Sequence, residues 1–223
     1  MNAVELHDAT VVRGEQTIFS GLSLQVGEHE RVAVRGPNGC GKSTLLDVLL
    51  GLRALRKGTV TVLGQRPPSP EVGFVPQDPG ASLLPWLSVR DNVALPLRLL
   101  GAPRHSIETA VQEVRDRLDP QHSLPLSLRP AQLSVGQRQL AALLRALIAR
   151  PRLLLCDEPF SALDAPARAH LRQVLARTTG GVSGPALIFV THDSDDVAEL
   201  AERSVLLTRA RDTTSGASAA SAP

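Results

Sequence analysis

An apolar strand, a glycine-rich loop and a helix follow one another over residues 31–51, and this unit constrains the fold most. The loop GPNGCGKST at 36–44 matches the pattern G-x-x-x-x-G-K-[S/T] in full. RVAVRG precedes it as a short strand, and KSTLLDVLLGL continues it with helical spacing as far as Gly51. The glycines allow successive backbone N–H groups to face one point, and the helix adds its positive end. The sequence therefore predicts a cradle for phosphate groups.

The side chains of this loop suit a nucleoside triphosphate with Mg²⁺. Lys42 supplies a point charge for the β- and γ-phosphates, and the Ser43 hydroxyl can bind Mg²⁺. Cys40 is interpreted as a small residue in a tight turn, with a redox-sensitive thiol as the alternative. The candidate nucleotide-binding residues of the loop are Gly36, Pro37, Asn38, Gly39, Cys40, Gly41, Lys42, Ser43 and Thr44.

Short apolar segments alternate with amphipathic helical segments along the rest of the chain. We predict strands at 3–12, 22–35, 57–64, 152–159, 186–193 and 205–209. We predict helices at 106–118, 136–150, 167–178 and 195–204. The proline-containing stretch 79–130 is interpreted as a mainly helical insertion. This alternation indicates an α/β fold with a largely parallel sheet, and the small polar residues of 210–223 predict a disordered tail.

Composition excludes several other classes. The net charge is only +2, so nothing indicates a nucleic-acid partner. Two cysteines do not form a disulfide scaffold in a chain of 223 residues and favour a reduced, intracellular setting. The N-terminal segment does not resemble a signal peptide, and the apolar runs are far shorter than the ~20 residues of a membrane helix. We therefore expect a soluble chain that reaches a membrane only through a partner.

Two carboxylates follow the apolar strand in RLLLCDEP. Asp157, at the end of a strand near a phosphate loop, is placed to hold Mg²⁺ directly or through water. Glu158 would point the opposite way along the strand and polarise the attacking water as general base, an effect of ~10²–10⁴-fold. The alternative, an exposed acidic turn, is disfavoured by the phosphate loop upstream.

Six motifs in this order resemble ABC-family ATPases over about residues 3–209. After the phosphate loop come FVPQDP, LSVGQ at 133–137, LLLCDEP, SALD at 161–164 and THD at 191–193. The resemblance implies a P-loop NTPase with a mainly parallel core sheet, an N-terminal antiparallel β subdomain and a helical subdomain inserted at about 79–150. It also implies ATP and Mg²⁺ as cofactors.

The same resemblance implies roles for single residues. Gln77 would reach Mg²⁺ and the attacking water, His192 would contact the γ-phosphate, and Asp164 would link two sites across a dimer. The implied catalytic residues are thus Glu158, His192 and Gln77. The implied metal ligands are Ser43, Gln77 and Asp157.

LSVGQ resembles the family signature LSGGQ, which caps the γ-phosphate of the nucleotide bound by the opposite subunit. The resemblance therefore assigns Ser134, Gly136 and Gln137 to the site of a second subunit. Val135 replaces the central glycine, and a β-branched residue disfavours φ > 0. Because Ser134 and Gly136 remain, we expect the chain to be active but slowed. Arg13 stands where the family usually has an aromatic residue that stacks on adenine. It either stacks in its place, at ~0.5–2 kcal/mol, or is solvated.

The implied assembly is a head-to-tail homodimer or heterodimer of ATPase subunits, bound to transmembrane permease subunits at the cytoplasmic face of the membrane. LLPW followed by VRDNV resembles importers of nitrate, sulfonates and taurine, which implies a solute-binding protein. Trp86 either docks a permease helix or belongs to the helical core. The alternatives are an efflux or lipoprotein-extracting system and a weakly hydrolysing regulatory subunit. An ATPase of DNA repair or translation is disfavoured, because the chain has no coiled coil, second ATPase domain or basic arm.

Overall fold

The computed structural model describes residues 2–209, and within them the strands form two sheets. The antiparallel sheet has the order β2-β1-β4, with β1 at Asn2–Arg13, β2 at Gln16–Gly27 and β4 at Lys57–Val62. The parallel sheet has the order β5-β6-β7-β3-β8. Its strands are β3 (Arg31–Arg35), β5 (Val72–Val75), β6 (Leu153–Asp157), β7 (Ala186–Val190) and β8 (Arg203–Leu206). The predicted α/β fold with a parallel core sheet is confirmed.

Helices cover both faces of the parallel sheet, and this explains the apolar character of its central strands. Every residue of β6 and of β7 is buried, as expected of parallel strands without a solvent-facing side. The helices are α1 (Lys42–Leu49), α2 (Pro79–Ser82), α3 (Val89–Leu99), α4 (Arg104–Leu118), α5 (Val135–Leu147), α6 (Ala165–Thr178) and α7 (Ser194–Leu200). The helices predicted at 106–118, 136–150 and 167–178 are confirmed to within three residues at each end.

Helices α2 to α5 all lie between β5 and β6 in the chain, although these strands are neighbours in the sheet. Buried side chains of α3, α4 and α5 share one core, which includes Val93, Val111 and Leu143. The carboxyl end of β5 and the amino end of β6 are therefore joined through a helical region, 79–147.

Several predicted bounds are wrong. The predicted strand 22–35 is interrupted by a turn, in which Glu30 accepts from the Gly27 N–H at 2.7 Å. Strand β5 is absent from the predicted elements because four residues are too few to show a period. The predicted helix 195–204 ends at Leu200, since Arg203 already pairs with Val32 of β3.

Two further predictions concern the ends of the chain and the membrane. The predicted disordered tail, 210–223, lies outside the described residues. Among the helices of residues 2–209, none has both the length and the apolarity to cross a membrane.

Candidate nucleotide-binding and hydrolysis site

The loop 36–44 connects the carboxyl end of β3 to the first residue of α1, as the sequence predicts. Its backbone requires glycine at two close approaches. Gly36 has φ 150°, and a Cβ there would lie 2.3 Å from the Leu207 carbonyl oxygen. Gly41 has φ 105°, and its Cβ would lie 2.5 Å from Cγ2 of Ile18. The loop is thus held between β2 and the segment after β8.

Lys42 is a buried cation whose charge acts on Asp157 but which forms no close ion pair with it. Its side chain is 6% exposed, and its Nζ donates to the carbonyl oxygens of Gly36, at 2.9 Å, and Pro37, at 3.2 Å. Among the described residues it forms no ion pair. Because buried charges are normally paired, this ammonium group fits an anionic ligand such as phosphate.

Asp157 is buried at the end of β6 and has an unsatisfied oxygen. The residue is 8% exposed, and its Oδ1 has no hydrogen-bond partner. Burial raises the pKa of Asp157. A hydrogen bond from Ser43 and the charge of Lys42 oppose this, and the charges of Glu158 and Asp47 add to it.

These oxygens fit Mg²⁺, which prefers hard oxygen ligands and usually keeps phosphate or water in its shell. In residues 2–209 no group of three or more His, Cys, Asp and Glu side chains could hold a metal ion. A Mg²⁺ ion held by the predicted ligands Ser43, Gln77 and Asp157 would keep phosphate or water oxygens as its other ligands.

Glu158 faces the site because the chain turns at this residue. Its φ is 44°, a left-handed conformation that is strained for a residue other than glycine, and β6 has already ended at Asp157. The expectation that strand alternation separates the two carboxylates is therefore wrong. The turn is held by the Glu158 N–H, which donates to the Val190 carbonyl at 3.1 Å, and by Ser161, whose Oγ donates to the Glu158 carbonyl at 3.0 Å.

The three predicted catalytic side chains meet at one carboxylate oxygen. Gln77 Nε2 donates to Glu158 Oε2 at 3.5 Å, and His192 Nδ1 lies 3.7 Å from the same oxygen. Each residue follows a different parallel strand, β5, β6 or β7, and these strands are adjacent. Their carboxyl ends share one edge of the sheet, where ligands bind in open α/β folds.

A cleft of about 570 Å³ lies over the loop, a volume in the range of small-molecule sites. Its lining residues are Arg13, Gln16, Ile18, Asn38, Gly39, Gly41, Lys42, Ser43, Thr44, Gln77, Glu158 and Arg209. Arg13 lines the cleft and is exposed, so its stacking on adenine stays a prediction beside the alternative of a solvated side chain. Gln16, Ile18 and Arg209 were not expected there. The position of Arg209 in the cleft could have been inferred only from its place after β8. This strand pairs in parallel with β3, so the carboxyl ends of both strands lie beside the loop.

The signature residues do not line this cleft. Ser134 caps the N-terminus of α5, where its hydroxyl accepts from the Gln137 N–H at 3.2 Å and its own N–H donates to Gln137 Oε1 at 3.0 Å. Ser134 is exposed. The capped helix N-terminus is therefore open to a second molecule.

The backbone conformation at Val135 and Gly136 is not the one that the sequence suggests. Val135 is the first residue of α5 and is not among the described non-glycine residues with positive φ. The predicted conformational penalty at Val135 is therefore wrong. Gly136 matters for space rather than for φ, because a Cβ there would lie 3.2 Å from the Cβ of Ala167. Its small size lets α5 and α6 pack closely.

Three other residues singled out in the sequence have clear positions. Asp164 caps α6, where its carboxylate accepts from the Ala167 N–H at 2.9 Å. Cys40 is buried, which suits a small residue in a tight turn. Trp86 is 67% exposed and does not belong to the helical core.

The family model described as ABC transporter matches residues 19–161, more than half of the chain. The chain therefore belongs to the ABC transporter family. It is similar to the aliphatic sulfonates import ATP-binding protein SsuB 2 of Burkholderia cenocepacia, with 40% identity over 208 residues that cover 92% of this chain and 73% of that protein. It is also similar to the maltose/maltodextrin import ATP-binding protein MalK of Escherichia coli K12, with 37% identity over 216 residues, covering 95% and 57%.

The bicarbonate transport ATP-binding protein CmpC of Synechocystis sp. is 40% identical over 199 residues, covering 87% of this chain and 29% of that protein. The chain thus spans only about half of the maltose relative and under a third of the bicarbonate relative. Among solved structures, the ATP-binding cassette MJ0796, a dimer in a post-hydrolysis state bound to ADP and Pi, is similar. Its TM-score is 0.79 at 28% identity, covering 92% of this chain and 94% of that one.

Proposed function

We propose that this chain is the ATP-hydrolysing subunit of an ABC importer, with residues 3–209 as its ATPase domain and about 79–150 as the inserted helical subdomain. The observation that carries the proposal is the meeting of Gln77 and His192 on one oxygen of Glu158. Gln77 and Glu158 of this cluster line a cleft that also contains Lys42, a buried cation that forms no ion pair with the described residues.

The residues divide the work of hydrolysis between binding and proton transfer. Lys42 and the loop N–H groups bind the β- and γ-phosphates. Ser43, Asp157 and Gln77 hold Mg²⁺, which supplies charge neutralisation at the phosphate oxygens. Glu158 accepts a proton from the water that attacks the γ-phosphorus, while Gln77 and His192 orient its carboxylate. Arg13 and Arg209 bind at the other end of the nucleotide.

The active unit is a head-to-tail dimer, as a homodimer or a heterodimer. Ser134, Gly136 and Gln137 do not line the cleft of their own chain, and the N-terminus of α5 is exposed. A helix N-terminus attracts phosphate, so the signature of one subunit caps the nucleotide of the other. The dimeric ADP-bound neighbour supports this arrangement.

The membrane partners are permease subunits, and the chain is peripheral at the cytoplasmic face. The exposed Trp86 supplies an apolar contact for a permease helix. The relatives are named as import proteins for aliphatic sulfonates, bicarbonate and maltose, which supports import of a small solute through a solute-binding protein. The resemblance in LLPW favours a cargo of the kind taken up by nitrate, sulfonate and taurine importers.

The proposal is tested by comparing wild type with Glu158→Gln. Wild type should hydrolyse ATP with Mg²⁺, and Glu158→Gln should be at least about 10²-fold slower because the base is lost. The variant should still bind ATP and should double its mass from 23.7 kDa in ATP-containing gel filtration. Glu108→Gln, on the exposed face of α4, is the matched control and should keep the wild-type rate. Equal rates for wild type and Glu158→Gln would reject hydrolysis at this site.

A further inference from the structure

Arg168, in the first turns of α6, binds two carboxylates of the segment that follows β7. Its Nε donates to Asp196 Oδ1 at 3.0 Å, and its Nη2 donates to Asp196 Oδ2 at 2.8 Å and to Asp193 Oδ2 at 2.7 Å. A guanidinium group suits such a contact because its donors form a rigid planar fork. Neither Arg168 nor Asp196 is among the residues assigned above to the site.

These contacts bracket His192 on both sides. The buried Thr191 hydroxyl donates to Asp196 Oδ2 at 3.0 Å and accepts from the Asp193 N–H at 3.1 Å. The residue before His192 is therefore tied to Asp196, and the residue after it is tied to Arg168. His192 itself is 63% exposed, so its neighbours in the chain, rather than packing of its ring, determine where it lies.

Asp196 depends mainly on Arg168. The Asp196 side chain is 0% exposed, and a buried carboxylate is costly without a close, hydrogen-bonded partner. Arg172, one turn further along α6, forms a longer ion pair with Asp196, at 3.7 Å, and a closer one with Glu199, at 2.9 Å. Loss of Arg168 would leave Asp196 with one strong donor, the Thr191 hydroxyl.

Arg168 also connects this unit to the start of α6. Its backbone N–H donates to the Asp164 carbonyl at 2.9 Å, and Asp164 caps the same helix. A shift of the first turn of α6 therefore moves the guanidinium group, and with it the segment 191–193.

We propose that Arg168 is a positioning residue, which holds His192 against Glu158. Through Arg168, the position of His192 also changes when the first turn of α6 shifts. The kinetic side of this inference rests on the proposed ATP hydrolysis. A purely structural tie between α6 and α7 is the competing explanation, and it predicts a loss of stability without a specific effect on His192.

The kinetic test is a double-mutant cycle with His192. Arg168→Met should lower kcat about tenfold or more with KM changed less than about twofold, since displacements near 1 Å can cost ~10²-fold in rate. In the His192→Ala background the same change should lower kcat less than about twofold further. Arg168→Lys should recover part of the rate, and Arg172→Met, the matched control on α6, should keep most of it. An equal loss in both backgrounds, or an equal loss in Arg172→Met, would overturn the inference.

A second readout does not depend on turnover. The His192 ring resonance, identified in ¹H–¹³C NMR spectra by its absence in His192→Ala, should move in nucleotide-free Arg168→Met, whereas the exposed His105 on α4 should not move. If wild type lacked ATPase activity but the His192 resonance moved, the proposed function would fail and the positioning by Arg168 would stand. A His192 resonance that does not move refutes the positioning, even where ATPase activity is normal.

Discussion

Asn92 supports the loop that carries Trp86, and its removal should have a measurable cost. Its side chain is fully buried. Its Oδ1 accepts from the Leu84 N–H at 2.7 Å, and its Nδ2 donates to the carbonyls of Leu84 at 3.1 Å, Leu87 at 3.3 Å and Ser88 at 3.0 Å. One amide group therefore bonds the backbone of three of the five residues in the loop 84–88, namely Leu84, Leu87 and Ser88.

The cost of Asn92→Ala follows from the groups that lose a partner. The Leu84 carbonyl also accepts from the Leu87 N–H, and the Ser88 carbonyl also accepts from the Asn92 N–H. The Leu84 N–H has no other acceptor, and an unsatisfied buried donor costs about 1–3 kcal/mol. The Nδ2 group has two hydrogens. Two lost bonds at about 0.5–1.5 kcal/mol each, together with the unsatisfied Leu84 N–H, should lower the free energy of unfolding by about 2–6 kcal/mol. Asn92→Asp should cost at least as much, because its carboxylate would face the same carbonyl oxygens.

Urea unfolding monitored by circular dichroism measures this loss. The control is Gln112→Ala on the exposed face of α4, whose free energy of unfolding should lie within about 0.5 kcal/mol of wild type. Permease-stimulated ATPase activity of Asn92→Ala should fall more than its basal activity, because the loop with Trp86 is displaced while Glu158 is not. A loss below about 1 kcal/mol would refute the hydrogen-bond argument.

Three further changes test the site. Because burial raises the pKa of Asp157, folding opposes its charged form and stability falls as pH rises through that pKa. Asp157→Asn should therefore raise Tm at pH 8, give no charge-related gain below the ordinary value of 3.8, and abolish Mg²⁺-dependent hydrolysis; an unchanged Tm at pH 8 would contradict this. Val135→Gly should lower stability by about 0.5–1 kcal/mol in urea unfolding without raising kcat, since Val135 has no positive φ to relieve; a faster enzyme would restore the strain explanation. Gly41→Ala should weaken binding of a fluorescent ATP analogue more than Gly39→Ala, because a Cβ at Gly41 meets Ile18 whereas one at Gly39 meets nothing within 4 Å. Equal effects of the two changes would show that the positive φ shared by both glycines, and not the contact with Ile18, causes the loss of binding.

Local motifs carried most of the site prediction. The phosphate loop, the carboxylate pair and THD are each contiguous, and alternating strands and helices predict that their ends meet at one edge of a parallel sheet. Gln77, Glu158 and His192 therefore come together in the structure as the order of motifs suggests.

The features that sequence reasoning misses depend on single backbone angles or on distant pairings. The turn that orients Glu158 depends on one φ value, which no residue pattern specifies. Arg209 reaches the cleft only because β8 pairs with β3. The partnership of Arg168 with Asp196 joins residues 28 positions apart, and both look like ordinary surface charges in the sequence.

Helix α5 belongs at once to the helical region and to the sheet, and this affects how the two can move. At its C-terminal end the helix packs so closely on β5 that a Cβ on Gly73 would lie 2.6 Å from the Ala146 carbonyl oxygen. If α5 moves while this contact is kept, the helix must rotate about its C-terminal end. The 13 residues of α5 make a lever of about 20 Å, so a rotation of about 10° would carry Ser134 by roughly 3.5 Å. That distance is about one hydrogen-bond length, enough to engage or release a phosphate in a facing subunit.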